Sequence, residues 1–435
     1  MSEARQVTKE MIQKTLSYRY YIYFAVALAY FLVYFHRTST AVMATDLTAA
    51  FGIAPTAIGL FGSMYFYAYA IGQLPAGILA DKWGIRNTMS VFVLIAGAGA
   101  LLFAAAQTFT MALIARFLVG LGVGFIYVPA MKFLADWFKK NEFATYSGVL
   151  LAVGNVGSLA STAPLVALIA AIGWRSSMSA VGVASLVVAV LLFLVVRNKP
   201  VNVGGATIEE IQELPPASAQ PIGIGASVGA LVKSYTFWTV AAMFFVLYGT
   251  IMGFQGLWAS PYLMNVYGLT KAQAGAILMM IPIGMIFGCP IAGIVADKLI
   301  PSKKRVVQIG VIVNILTWIP LVFMIDSMSL GTIRILLFVY GFFAGWFVVM
   351  YANLKEHVDL RMSGTATGFL NFFVFAGGAI YQQVMGVIVE AAPVTNKVIA
   401  TSGFKNAFLL CLVTLIAALL FYSTQKEHQD KVVVQ

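Results

Sequence analysis

Ala76-Gly77-Ile78-Leu79-Ala80-Asp81-Lys82 and Ala292-Gly293-Ile294-Val295-Ala296-Asp297-Lys298 are nearly one seven-residue phrase written twice, half a chain length apart in a sequence of 435 residues. Each copy closes an apolar run with an acid and a base, as expected where a buried helix reaches water. Weaker echoes hold nearly the same register: Arg116 with Arg334, Gly148 with Gly368, and Arg37 close to Gln255. Chance explains one near-match poorly and a series in one register worse, so the chain reads as two copies of one unit.

Composition says what kind of unit it is. The chain is 61% hydrophobic and 10% charged, with a mean hydropathy of +0.90, whereas a soluble domain carries about a quarter charged residues. The expected class is therefore an all-α membrane protein with the lipid bilayer as its main partner. A net charge of +11 invites nucleic acid as a partner, but the Lys and Arg sit in short clusters between apolar runs, which argues against one. Cys289 and Cys411 fall inside such runs, so no disulfide framework is expected. Residues 1–19 are polar and the first apolar run is long enough to remain as a span, so no cleavable signal is expected.

A helix needs about 20 residues to cross the hydrocarbon core. Apolar runs of that kind lie near 20–44, 56–80, 88–107, 109–137, 144–171 and 176–197. A second group lies near 236–263, 272–296, 306–325, 333–355, 365–390 and 404–424. That gives twelve spans as two six-helix parallel repeats, a known membrane design. Placing both termini in the cytoplasm puts most of the 27 Lys and Arg on that side and leaves Arg175, Lys271, Lys397 and Lys405 outside, as the positive-inside rule demands. Four bases stay within spans: Arg37, Arg116, Lys132 and Arg334. The expected organisation is a cytoplasmic tail over 1–19, a bundle over 20–197, a linker over 198–235, a bundle over 236–424 and a tail over 425–435. The linker holds Pro200, Pro215, Pro216, Pro221 and an acidic group at Glu209, Glu210 and Glu213, a composition of flexible cytoplasmic chain.

A family resemblance follows. Gly77-Ile-Leu-Ala-Asp81-Lys82-Trp-Gly84-Ile-Arg86, between the second and third spans, resembles the signature loop of the major facilitator superfamily. Arg116-Phe-Leu-Val-Gly120-Leu-Gly122-Val-Gly124, continuing to Pro129 and Trp137-Phe138, resembles that family's fourth-helix motif, and Gly173-Trp174-Arg175 also fits. The resemblance implies a secondary transporter of the bacterial inner membrane, working as a monomer by rocking of two halves. It also implies a gate role for Gly77, Asp81 and Arg86, and for Gly293 and Asp297 in the second copy. Asp81 would latch the inner gate to a base or a helix N-terminus across it while the protein faces outward, and Gly77 would let a neighbouring helix approach closely.

Bases in spans cost several kcal/mol unless paired or solvated. No span carries a carboxylate near its middle: Asp136, Glu356 and Asp359 lie at cytoplasmic ends, Asp46 and Glu390 at outer ends. Arg37 and Lys132 therefore lack an evident acidic partner, and an anionic substrate would relieve that cost. The arginine fork also suits a carboxylate or phosphate. Arg116 and Arg334, at matching repeat positions, read as a shared structural element instead. Tyr34-Phe35-His36-Arg37 resembles the first-helix site of organic-anion symporters, in which an arginine holds the substrate's negative group. An acid often precedes that arginine; His36 stands here, and it could serve as the proton site or stay a neutral hydrogen-bonding group, while exchange or uniport would need no proton site and coupling to a proton or another ion stays open. Gln255, Asn155 and Asn371 are further candidate substrate contacts, Gln255 first because its helix is the repeat partner of the first. No cofactor or metal is expected, the only histidines being His36, His357 and His428.

The expectation is a carrier for a small anionic or zwitterionic metabolite, with both candidate bases in the first half. Alternatives are an amino-acid or dipeptide carrier, a drug or metabolite efflux pump and, more remotely, a membrane sensor. Efflux members commonly carry a Gly-Pro motif in the fifth helix, where this chain reads Gly148-Val-Leu-Leu-Ala-Val-Gly154-Asn155-Val-Gly157. A sensor would normally append a signalling domain. An enzyme would need a nucleophile with its base, or a metal cluster, and neither pattern is present.

Overall fold

The computed structural model describes residues 7–212, 224–300, 302–358, 362–395 and 398–425. Ten of its helical segments are long and apolar enough to cross a membrane. Pro55–Lys82 is a further 28-residue helix. The helix running on from Ala163 turns back at Gly173 (φ 79°, ψ 159°). Residues 163–172 therefore finish the span begun by Lys140–Ala160, and 174–195 form the next. Twelve spans result, as the apolar runs anticipate. Lipid offers the backbone no hydrogen bonds, so every span closes its own as helix. Outside the helices, Val394–Thr395 and Val398–Ile399 pair antiparallel in an outer loop.

Close packing explains the glycine spacing of the fourth span, Phe109–Trp137. A methyl group at Gly120 would meet the Tyr65 backbone, one at Gly124 would sit 3.2 Å from the Tyr69 Cα, and one at Gly122 would meet the backbone of Phe92 and Ala96. Alternate glycines thus seat the second and third spans on opposite sides of one helix. The second half repeats the device, with Gly341 against the Ile281 backbone.

Two boundaries differ from expectation. The first helix starts at Lys9, capped by the Thr8 side chain, so the expected tail is partly helical. The linker is ordered at its start: the Thr15 hydroxyl donates to the Ala206 carbonyl (2.7 Å), and the Ala206 N–H donates to Met11 (3.3 Å). Its Pro215, Pro216 and Pro221 lie outside the described residues, as does His428.

The halves meet on the outer side. Lys271 pairs with Asp46, and the Thr56 N–H donates to Glu390 (2.9 Å). The Tyr67 hydroxyl donates to Gln383 (2.9 Å), and the Ser63 hydroxyl donates to the Ala379 carbonyl (2.6 Å). At the cytoplasmic ends the described ion pairs, Arg19–Glu142, Lys132–Asp81 and Lys303–Glu356, each stay within one half. A cavity of about 780 Å³ separates the fifth and eighth spans there, between Thr145–Asn155 and Met285–Ile294. The protein is therefore closed outside and open to the cytoplasm.

Candidate functional site

Three broken helices converge below the outer seal. The first span is interrupted at Ser39, between Lys9–Thr38 and Thr40–Phe51. The fifth breaks at Ser161 and Thr162. The seventh carries a π-helical turn over Phe254–Trp258. Such interruptions survive in a membrane only where protein or a cavity satisfies the freed groups, and π-turns recur at functional sites. Here hydroxyls fill the gap: Thr38 meets Ser158 (3.0 Å) and Ser161 (2.6 Å), and the Gln255 amide reaches the Ser158 hydroxyl (3.5 Å).

Under this roof lies a central cavity of about 170 Å³. Arg37 lines both the roof and the cavity, and is only 4% exposed. Its guanidinium carbon stands 4.3 Å from the Tyr34 ring centroid and 5.4 Å from those of Tyr69 and Phe375. Each such contact is worth about 0.5–2 kcal/mol, and together they hold the fork in place. Its Nε has no hydrogen-bond partner, and Arg37 joins none of the ion pairs among the described residues. It is a buried, positioned cation facing a space the size of a small molecule.

Gln255 and Asn155 join Arg37 at the roof. The Gln255 Oε1 is buried without a partner, while the Asn155 amide donates to Leu151 in its own helix (3.1 Å). Asn371 lines the cavity, accepting from the Tyr351 hydroxyl (2.6 Å) and donating to Gln73 of the other half (3.2 Å). These four candidates come together; two others do not.

Lys132 is a correction. It pairs with Asp81 outside the cavity, with side-chain exposures of 33% and 71%. The residue lies near the cytoplasmic end of its helix, where the long stem carries the charge to water. An exposed pair contributes at most about 1 kcal/mol, so Lys132→Gln is expected to leave substrate affinity within about twofold of wild type; a titration on the purified variant checks this.

His36 is the second correction. Arg37 faces the cavity, and the next position on a helix points about 100° away. His36 is fully buried toward the sixth span, its Nε2 3.4 Å from the Ser185 hydroxyl. His36 is not among the residues lining the described cavities. Arg116 is structural as expected: its Nη1 donates to the His36 carbonyl at the break in the first span (2.8 Å). Arg334, its repeat echo, is exposed, so that pair shares a position and not a role.

The candidate gate residues sit on the open cytoplasmic side. Asp81 binds Lys132 of its own half and, among the described residues, no group of the other half. A methyl group on Gly77 would find only Val128 at 3.8 Å, and one on Gly293 would meet nothing, so neither close approach is made in this conformation. Arg86 ties the third span to the sixth, its Nε donating to the Phe193 carbonyl (2.7 Å). The Asp297 side chain lies outside the described residues.

The largest omission from the sequence reading is the cavity's aromatic wall: Tyr30, Tyr127, Tyr248, Tyr351, Phe347 and Phe375. Lys355, which closes the tenth span, lines the same cavity. A signal for these existed. Tyr30, Tyr34 and Arg37 share the i, i+4, i+7 face of one helix, and Tyr248, Met252 and Gln255 repeat that spacing in the seventh span.

The family model of the Major Facilitator Superfamily matches residues 26–381. The chain belongs to this superfamily. It is therefore a transporter-family protein with multiple spans in the bacterial inner membrane, and not an enzyme. A probable hexose phosphate transport protein of Chlamydia pneumoniae is 24% identical, over 97% of this chain and 96% of its own length. A hexuronate transporter of Bacillus subtilis is 27% identical over 87% of each chain. A membrane sensor protein of Salmonella typhimurium is 22% identical over 90% of this chain and 91% of its own length. Among solved structures, a bacterial homologue of the human lysosomal transporter Spinster shares the fold, with a TM-score of 0.72 at 18% identity over 94% of this chain and 96% of its own.

Proposed function

We propose that this superfamily member carries a small organic anion across the membrane by alternating access, the anion held by Arg37 beneath the closed outer face. The observation that carries the reading is a guanidinium 4% exposed, walled by aromatic rings and free of any acidic partner among the described residues, in a cavity between the halves. Burying an unpaired cation is costly, and a bound carboxylate or phosphate removes that cost with charge-assisted hydrogen bonds. Two of the relatives are named for hexose phosphate and hexuronate, both anionic, which supports the reading. A zwitterion's ammonium group would find only neutral acceptors such as the Gln255 Oε1, since no carboxylate lines the described cavities, so the lining favours an anion. The basic cavity also counts against efflux of cationic drugs.

The described lining holds no carboxylate or imidazole to carry a proton. We therefore propose exchange or uniport over proton symport. In proteoliposomes, collapsing a pH gradient is expected to leave anion uptake within about twofold of the untreated rate; a fall of about tenfold or more would require a proton site.

The sensor reading is favoured by one finding, the likeness to the Salmonella sensor protein. That protein is matched over 91% of its length, so a sensor of this fold needs no large appended domain. Anion flux through purified protein in liposomes separates the two, since a pure sensor binds without flux.

A further inference from the structure

Resting on the anion reading above, we infer that the substrate is a linear dianion bridging the two halves, one end on Arg37 and the other on Lys355. Arg37 comes from the first span and Lys355 from the end of the tenth, and both line one cavity. Neither joins an ion pair among the described residues. Phe347 lines the roof beside Arg37 as well as the central cavity. Lys355 lies just over two turns further along that span, roughly 12 Å of rise toward the cytoplasm. The two cations thus stand at opposite ends of the cavity, one under the seal and one near its mouth. Both side chains line the cavity between them, so one molecule with an anionic group at each end can engage both.

The wall between the cations is also suited to such a molecule. Tyr30, Tyr34 and Tyr127 line it, and their hydroxyls make no hydrogen bond to protein among the described residues. They can donate to or accept from hydroxyls along the substrate chain, while the ring faces take its C–H edges. The class is a linear dicarboxylate, hydroxylated along its chain. Because the two ends grip different halves, a dianion also draws the cytoplasmic halves together in a way that an anion held by Arg37 alone does not.

The test is a binding titration of the purified full-length protein against α,ω-dicarboxylates from four to eight carbons, galactarate, and matched monocarboxylates including galactonate. Wild type is expected to bind the best dianion about tenfold or more tightly than its monoanion, with an optimum in chain length. In Lys355→Gln that ratio falls toward one and the length optimum disappears, while Lys355→Arg, which keeps the charge, retains both. Equal binding of mono- and dianions by wild type overturns the inference, as does a Lys355→Gln variant that keeps the ratio. If monocarboxylates bind through Arg37 without a dianion advantage, the anion reading stands and this inference falls. If no anion of either class binds, both fall.

Discussion

Arg37→Ala is expected to abolish anion binding and uptake while the protein still folds and purifies at normal yield. Charge-assisted hydrogen bonds contribute about 1.5–3 kcal/mol each, and a fork that grips two oxygens makes two of them. The loss in affinity should therefore exceed about a hundredfold. Folding should survive because Arg37 joins no ion pair among the described residues: its contacts are with the faces of Tyr34, Tyr69 and Phe375 and with Tyr65, whose hydroxyl keeps its own bond to the Val33 carbonyl. Removing the buried cation relieves a desolvation cost and forfeits its ring contacts, two opposing effects, so the melting temperature of Arg37→Ala without substrate should stay close to that of wild type. Arg37→Lys keeps the charge but loses the fork and should bind at an intermediate level. Full uptake by Arg37→Ala would remove the basis of the anion site.

The second large effect concerns the outer seal. A methyl group on Gly59 would lie 2.7 Å from the Gln382 carbonyl oxygen and 3.1 Å from the Gln383 Cα. Those atoms are backbone of the eleventh span and cannot swing aside. Gly59→Val is therefore expected to cost the closed outer face about 1–3 kcal/mol, roughly a ten- to hundredfold shift toward the outward-open state. Cys289 reports the shift, since it lines both the roof and the cytoplasmic cavity, while Cys411 is fully buried. A membrane-impermeant thiol reagent applied from the cytoplasmic side should modify Cys289 in wild type and react about ten times more slowly in Gly59→Val. Equal rates, with uptake intact, would mean that this contact does not hold the seal.

The scaffold was legible in the sequence because it rests on repeated, local signals. The two copies of the Ala-Gly-Ile phrase fix the repeat, and apolar runs of spanning length fix the helices. Even the turn at Gly173 shows in Gly173-Trp174-Arg175. Arg37 was legible too, because a base deep in a span demands a reason. Lys132 misled because distance along the sequence did not reveal the Asp81 carboxylate facing it across the second and fourth spans. His36 misled because adjacency to Arg37 in sequence is divergence on a helix. Lys355 was missed for the opposite reason: a base at a span's end reads as topology, and only the splayed cytoplasmic ends show that it borders the cavity. The second half thus contributes a cation as well as polar contacts, contrary to the expectation from sequence.

The most direct measurement of the central claim is counterflow in proteoliposomes carrying the purified protein, preloaded with an organic acid and offered the labelled acid or its neutral amide. The amide keeps the shape and loses the charge that Arg37 would hold. Accumulation of the acid, with amide flux at the level of protein-free liposomes, is the expected result. Amide carried as fast as the acid, or neither carried by a protein that binds the acid, would contradict an anion carrier built around Arg37.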